Sequence, residues 1–102
     1  MVLLTGGSTI SAGETFTQAT LGRTSQPVRI GAHTQGVFSD VMERTLPNGW
    51  KFILPNERFL TRWGHTFDGT GIPPHISTPV FTEEEFAHNR DSAFDRAVTL
   101  FR

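Results

Sequence analysis

Apolar and polar positions along this chain follow two rhythms, one suited to strands and one to helices. Val2-Leu3-Leu4 is an unbroken apolar run, as in a strand buried on both faces, and Gly6-Gly7-Ser8-Thr9 follows it as a loop. Ser11 and Glu14 then have the spacing of a capping box, in which a serine and a glutamate three residues on cap a helix reciprocally. Ala12, Phe16 and Ala19 recur at helical spacing and predict one apolar face, with Gly22 as the stop. Pro27 to Gly31 reads as a second short strand, so residues 2–31 predict a strand–helix–strand unit with a parallel crossover. Phe38–Leu46 and Trp50–Leu54 flank Pro47-Asn48-Gly49, a hairpin signal. Phe59–Arg62 adds a candidate strand, and Gly64, Gly69, Gly71, Pro73 and Pro74 predict a long irregular stretch. Thr82 to Glu85 is a second capping box. The Phe86, Ala93, Phe94, Ala97, Phe101 stripe after it predicts one amphipathic terminal helix, with Glu83, Glu84 and Glu85 at its positive end. The fold class is α/β.

Composition narrows the function. At 102 residues the chain is at most one domain, and it has no repeat, low-complexity tract or linker. Nine Phe and two Trp supply core material, so disorder is not expected. A formal net charge of -1 with no basic patch argues against nucleic acid as a partner. The absence of Cys excludes disulfides, thiolate metal sites and cysteine nucleophiles, and the histidines show no metal-ligand spacing, so no metal or other cofactor is expected. No apolar run approaches the roughly 20 residues of a membrane span. Met1-Val2-Leu3-Leu4 is too short for a signal peptide and lacks its basic start, which leaves the compartment open.

Ser11 is the first candidate for chemistry. A serine at a strand-to-helix junction sits beside unpaired amides and the positive end of a helix dipole, where a tetrahedral oxyanion would be stabilised. The competing reading is a plain N-cap bonded to Glu14. The two roles exclude each other, since a hydroxyl committed to its own helix is not free to attack a substrate.

Four ordered segments resemble a known family. Residues 2–16, with Ser11-Ala12-Gly13-Glu14 opening the helix, resemble the nucleophile segment of tail-specific (C-terminal processing) serine peptidases. Val28-Arg29-Ile30-Gly31-Ala32-His33-Thr34-Gln35-Gly36 resembles that family's strand ending in Val-Gly-Glu-x-Thr-x-Gly. Leu46-Pro47-Asn48-Gly49 resembles its Leu-Pro-Asp/Asn-Gly hairpin, and Gly69-Thr70-Gly71-Ile72-Pro73-Pro74-His75-Ile76 resembles its Gly-x-Gly-Ile-Pro-Pro-Asp-Ile segment. The resemblance implies a crotonase/ClpP-like α/β core, of which residues 1–102 would be the C-terminal part. It implies Ser11 as nucleophile, the Ala12 amide as one oxyanion donor, and Gly6 and Gly7 near the substrate backbone. The implied partner is a polypeptide substrate, with peptide-bond hydrolysis as the reaction.

One branch of the family pairs its serine with a lysine after Thr-x-Gly. Here that position is Val37, followed by Phe38, and the single lysine is Lys51 beyond the hairpin turn. The sequence is therefore closer to the tricorn-type branch, in which a histidine is the base and a Glu just before Gly-x-Gly-Ile-Pro-Pro assists. Asp68 holds that acidic place, one methylene short, and also suits a turn. The branch's histidine lies upstream of the nucleophile strand. None of His33, His65, His75 and His88 matches it, and His33 is the nearest local substitute. An isolated chain of these residues is accordingly expected to be inactive, and its uncovered apolar face to favour association, including homo-oligomers. The alternatives are a non-catalytic binding module of the same fold, as in interphotoreceptor retinoid-binding proteins, or a truncated pseudo-peptidase. Trp50 and Trp63 are expected in core or hairpin packing, and Arg44 and Arg62 on solvated surface.

Overall fold

The computed structural model describes residues 1–101. Strand β1 (Val2–Thr5), helix α1 (Ala12–Ala19) and strand β2 (Val28–Gly31) form the expected parallel crossover, with Val2 opposite Val28 and Thr5 opposite Gly31. A hairpin of β3 (Val41–Thr45) and β4 (Lys51–Pro55) follows. A two-residue strand β5 (Ile76–Ser77) then returns to pair parallel with β2, giving the order β1-β2-β5. Two short helices, α2 (Glu83–Ala87) and α3 (Ser92–Thr99), end the chain. The α/β class is as read from the sequence. No helix among the described residues is long and apolar enough to cross a membrane.

The core is small. Ile30, Ala93 and Ala97 are buried, with Val2, Val28, Ile76 and Val80 packed around them, so α3 covers one face of β1 and β2. β1 is the sheet's edge and Leu4 is exposed there, so the first strand is not buried on both faces as expected. The radius of gyration is 16.8 Å, against about 13 Å for a compact domain of this length. Much of the excess lies in the hairpin, all ten of whose strand residues are exposed. Its turn is a three-residue loop. Leu46 N–H donates to the Trp50 carbonyl at 2.7 Å, and Gly49 takes the positive φ of 86° that closes such a loop into the right-handed ribbon.

Helix α1 is turned the other way from the sequence pattern. Phe16 is 57% exposed, Ala12 and Ala19 also face outward, and Glu14, Thr17 and Thr20 are buried. The buried hydroxyls are satisfied by the helix itself, Thr17 Oγ1 on the Gly13 carbonyl and Thr20 Oγ1 on that of Thr17, both at 2.7 Å.

The single terminal helix is corrected to two. Asn89 adopts φ 49°, and Arg90 and Asn89 donate to the Glu85 and Phe86 carbonyls at 2.8 and 3.2 Å, a Schellman ending with asparagine in the left-handed position. Asp91 then caps α3 by accepting from Phe94 N–H at 2.9 Å. Thr82 does cap α2, accepting from Glu85 N–H at 3.2 Å, and the Glu85 carboxylate also reaches forward to Ser92 N–H at 2.9 Å. The alanines of the predicted stripe are buried, whereas Phe86, Phe94 and Phe101 are exposed. Phe59–Arg62 is no strand. Thr61 closes a tight turn with Gly64 and His65, and Arg62 lies over the exposed Trp63 ring at 4.7 Å. Trp50 is exposed at the hairpin tip, so neither tryptophan is in the core.

His75 shows how β5 is fixed to β2. Its amide donates to the Arg29 carbonyl at 2.8 Å, and its ring Nδ1 accepts from Arg29 N–H at 2.9 Å. A carboxylate at this place would accept the same bond, so histidine is chemically adequate there only while neutral. Burial holds the His75 imidazole below its ordinary pKa, and the Arg29 guanidinium pushes it the same way. Its contribution to stability is therefore complete above the ordinary imidazole range and is lost as pH falls through the lower folded value. Urea midpoints are expected to drop between about pH 7.5 and about pH 5, and His75→Asn, which keeps an acceptor without a proton to gain, should flatten that step. An equal drop in His75→Asn would place the step elsewhere. The Glu85 carboxyl, held low by hydrogen bonds from Ser92, loses its contribution in a separate window below the ordinary glutamate range.

Candidate active site

The turn after β1 is built in three layers of hydrogen bonds. Thr5 is lashed to the chain leaving β2, its Oγ1 donating to the Ala32 carbonyl and its own carbonyl accepting from Ala32 N–H, both at 2.9 Å. Gly6 and Thr9 close on each other through Thr9 N–H to Gly6 O at 2.8 Å and Gly6 N–H to Thr9 Oγ1 at 3.1 Å. The chain then reaches Ser11 with φ 48° and ψ -116°. That pair of angles is forbidden ground for a residue with a Cβ and persists only where surrounding bonds impose it.

Those bonds come from the loop after β2. Ser11 N–H donates to the Val37 carbonyl at 2.8 Å, and Gln35 N–H donates to the Thr9 carbonyl at 3.0 Å. Ser11's carbonyl accepts from Glu14 and Thr15 N–H and so starts α1, but its hydroxyl makes no cap bond. The capping box read from the sequence is thus overturned. Glu14 is fully buried and spans instead to the second loop, Oε1 accepting from Gly36 N–H at 2.6 Å and Oε2 from Val37 N–H at 2.7 Å. Two amides, that of Gly36 buried, hold a carboxylate more firmly than the single amide of Ser11, which is already taken by the Val37 carbonyl. Ala12 N–H is the first of the helix and has no acceptor along it.

A third loop locks onto the second. Thr34 N–H donates to the Ile72 carbonyl at 3.1 Å, Ile72 N–H donates to Thr34 Oγ1 at 2.7 Å, and Gly69 N–H donates to the Gly36 carbonyl at 2.8 Å. Gly36, Gly69 and Gly71 meet backbone to backbone at positive φ. This places Asp68 one residue from a bond to Gly36, itself next to Val37, whose carbonyl holds Ser11. Among the described residues no hydrogen bond joins Asp68 to Ser11 or to a histidine, and its Oδ2 accepts from Thr66 Oγ1 at 3.2 Å. His33 is exposed, with Nδ1 3.4 Å from the Thr70 carbonyl. Lys51 forms an exposed ion pair with Glu43 at 2.8 Å on the hairpin. Gly6 and Gly7 line a cleft of about 370 Å³ at the end of β1. A Cβ on Gly6 would press on Val80 at 2.9 Å, whereas one on Gly7 would meet nothing. Glu14 was missed as a site-building residue. The signal available was its place on the same helical face as Thr17, opposite Phe16.

The fold is shared with solved proteases. A peptidase candidate of Parabacteroides merdae ATCC 43184 superposes with a TM-score of 0.81 at 24% identity over 97% of this chain. The tricorn protease does so with 0.78 at 19% identity over 98%, and mature CPAF, complexed with lactacystin, with 0.69 at 20% identity over 83%. This chain spans 30%, 10% and 16% of those three chains in turn. Residues 1–78 match peptidase family S41, and the chain belongs to that family. No curated protein sequence matches it significantly.

Proposed function

We propose that this chain carries the nucleophile of a serine peptidase, with Ser11 attacking the scissile carbonyl of a polypeptide. The observation that carries this reading is the backbone of Ser11, held at φ 48° and ψ -116° between a strand and a helix with its hydroxyl free of the helix. A cap would sit in extended backbone and spend its side chain on the first turn. A nucleophile needs the opposite, a hydroxyl raised on a sharp turn beside open amides. Ser11 Oγ forms an ester with the acyl carbon as the peptide C–N bond breaks. Its proton passes through a base to the leaving amine, and water then hydrolyses the ester. Ala12 N–H donates to the developing oxyanion, and Gly6 and Gly7 leave room for the substrate backbone.

The base is a histidine supplied from outside these residues, as in the tricorn-type branch. The absence of a lysine near Ser11 supports that branch, since Lys51 is committed to Glu43 on the hairpin. Asp68 is the acidic assistant on this reading. A tail-specific substrate, held near its C-terminus, follows from the same resemblance. One feature favours the non-catalytic alternative: Asp68 is engaged by Thr66.

A fluorophosphonate probe decides between the readings. In a polypeptide carrying this chain with its upstream histidine, Ser11 is expected to be labelled, and Ser11→Ala to lose labelling and lower kcat roughly a million-fold. The 102 residues alone should hydrolyse nothing. A folded polypeptide whose Ser11 stays unlabelled would exclude the peptidase.

A further inference from the structure

The β3–β4 ribbon is closed along one edge and open along the other. Leu46 N–H donates to the Trp50 carbonyl at 2.7 Å, and Asn56 N–H to that of Asp40 at 3.4 Å. Bonded and non-bonded pairs alternate along an antiparallel ladder, so Met42–Leu54 and Arg44–Phe52 are the bonded pairs between those two. The backbone groups of Val41, Glu43 and Thr45 therefore point away from β4, and those of Lys51, Ile53 and Pro55 away from β3. The β4 edge is blunted, because Pro55 has no N–H to offer and Lys51 brings a charge. The β3 edge carries neither a proline nor a lysine.

A two-stranded ribbon is marginal in water unless further strands or a packed face support it. This one pairs with no other strand among the described residues, and Val41, Met42, Phe52, Ile53 and Leu54 are all exposed on it. The order of side chains on β3 selects what completes the edge. A second β3, antiparallel about a two-fold axis normal to the ribbon, sets each residue opposite one on the same face. With the axis at Glu43 two glutamates meet, and with it at Arg44 two arginines meet, both unfavourable. With the axis at Met42 the two methionines meet, and Asp40 faces the partner's Arg44 twice, once on each side. Val41 and the partner's Glu43 then exchange backbone bonds in the same symmetric way. Asp40 and Arg44 have side chains free for this, since the ion pair on the ribbon is that of Lys51 with Glu43. On one face Leu54 and Met42 continue into their symmetry copies as an unbroken apolar row.

We propose that the open edge of β3 joins a second copy of this chain, forming a four-stranded antiparallel sheet across a two-fold axis at Met42. The proposal does not depend on the chemistry of Ser11.

The test uses the 102-residue chain, which has no cysteine of its own. Sedimentation velocity is expected to show a dimer. Facing Met42 positions form a non-bonded pair with Cα atoms about 4.5 Å apart, a distance a disulfide spans. Met42→Cys should therefore oxidise to a covalent dimer at least about tenfold faster than Ile53→Cys, which lies on the blunted edge. Asp40→Arg and Arg44→Asp each put like charges opposite and should weaken the dimer about tenfold, whereas the double reversal restores it. Urea midpoints of the reduced variants serve as folding controls. A monomeric chain overturns the proposal. So does a dimer in which the two cysteines cross-link at equal rates and the double reversal brings no rescue, because association then uses another surface. Repeating the cross-linking in the longer polypeptide tests the other occupant. A monomer there with unlinked Met42→Cys would give the edge to an upstream segment and likewise overturn the pairing of copies.

Discussion

Glu14→Ala is expected to destabilise the fold by about 3–5 kcal/mol, a large part of the total of about 5–15 kcal/mol available to a domain. The carboxylate is fully buried and accepts from two backbone amides, at 2.6 and 2.7 Å. Hydrogen bonds to a charged group contribute about 1.5–3 kcal/mol each, and deleting the acceptor leaves both donors without a partner, that of Gly36 in a buried position. Glu14→Gln separates hydrogen bonding from packing. Its amide oxygen can serve one N–H, but its NH2 would face the other donor, so a loss of about 2 kcal/mol is expected. Urea denaturation at neutral pH measures both. The consequence extends to the site, because Val37, one of the two donors, also holds Ser11 through its carbonyl. Probe labelling of Ser11 should therefore fall in Glu14→Gln under conditions where the protein is still folded. Full stability of Glu14→Ala would mean that the two loops do not depend on this carboxylate.

Gly71→Ala is expected to destabilise by about 3 kcal/mol or more, through a collision as well as a dihedral. Gly71 has φ 74°, and a Cβ there would run into the Thr34 carbonyl, whose carbon would lie at 2.7 Å. Thr34 is tied to Ile72 by two hydrogen bonds, so the backbone cannot yield without breaking the link between the second and third loops. Gly69 supplies the control. Its φ is 80°, but nothing lies within 4 Å of the added Cβ, so Gly69→Ala should show only the left-handed penalty of about 1–2 kcal/mol. Equal losses at the two positions would refute the steric account. Gly71→Ala should also free the loop that carries Asp68, so on the proposed reading probe labelling of Ser11 in the longer polypeptide is the second readout.

Much of the architecture was legible because it rests on local chemistry. The apolar run at 2–4, the strand at 27–31 and the segment between them fixed a parallel crossover, since short parallel strands need a helix-length connection. Pro47-Asn48-Gly49 fixed the hairpin, because glycine there accepts the positive φ that a three-residue loop requires. The division of the last helix was also written locally, in Asn89 as a left-handed stop and Asp91 as a cap, but the Phe86–Phe101 stripe obscured it. Periodicity records which residues share a face and is silent about whether that face is covered. Hence Phe16, Phe86 and Phe94 stand exposed, while Glu14 and Thr17 are buried.

The sequence by itself determined the elements, their order, the position of Ser11 between strand and helix, and the motifs that mark the family. What only the tertiary structure decided is what Ser11's hydroxyl is free to do. Ser11 and Glu14 have the spacing of a capping box, and in an isolated helix that local pair would form. In the folded chain the amides of Gly36 and Val37 lie within reach of the buried Glu14 carboxylate, more than twenty residues away in sequence. Two charge-assisted bonds to a buried carboxylate outweigh one reciprocal bond at a helix end. Glu14 turns inward, the Val37 carbonyl takes Ser11's amide, and the serine is held in strained backbone with its side chain released from the helix.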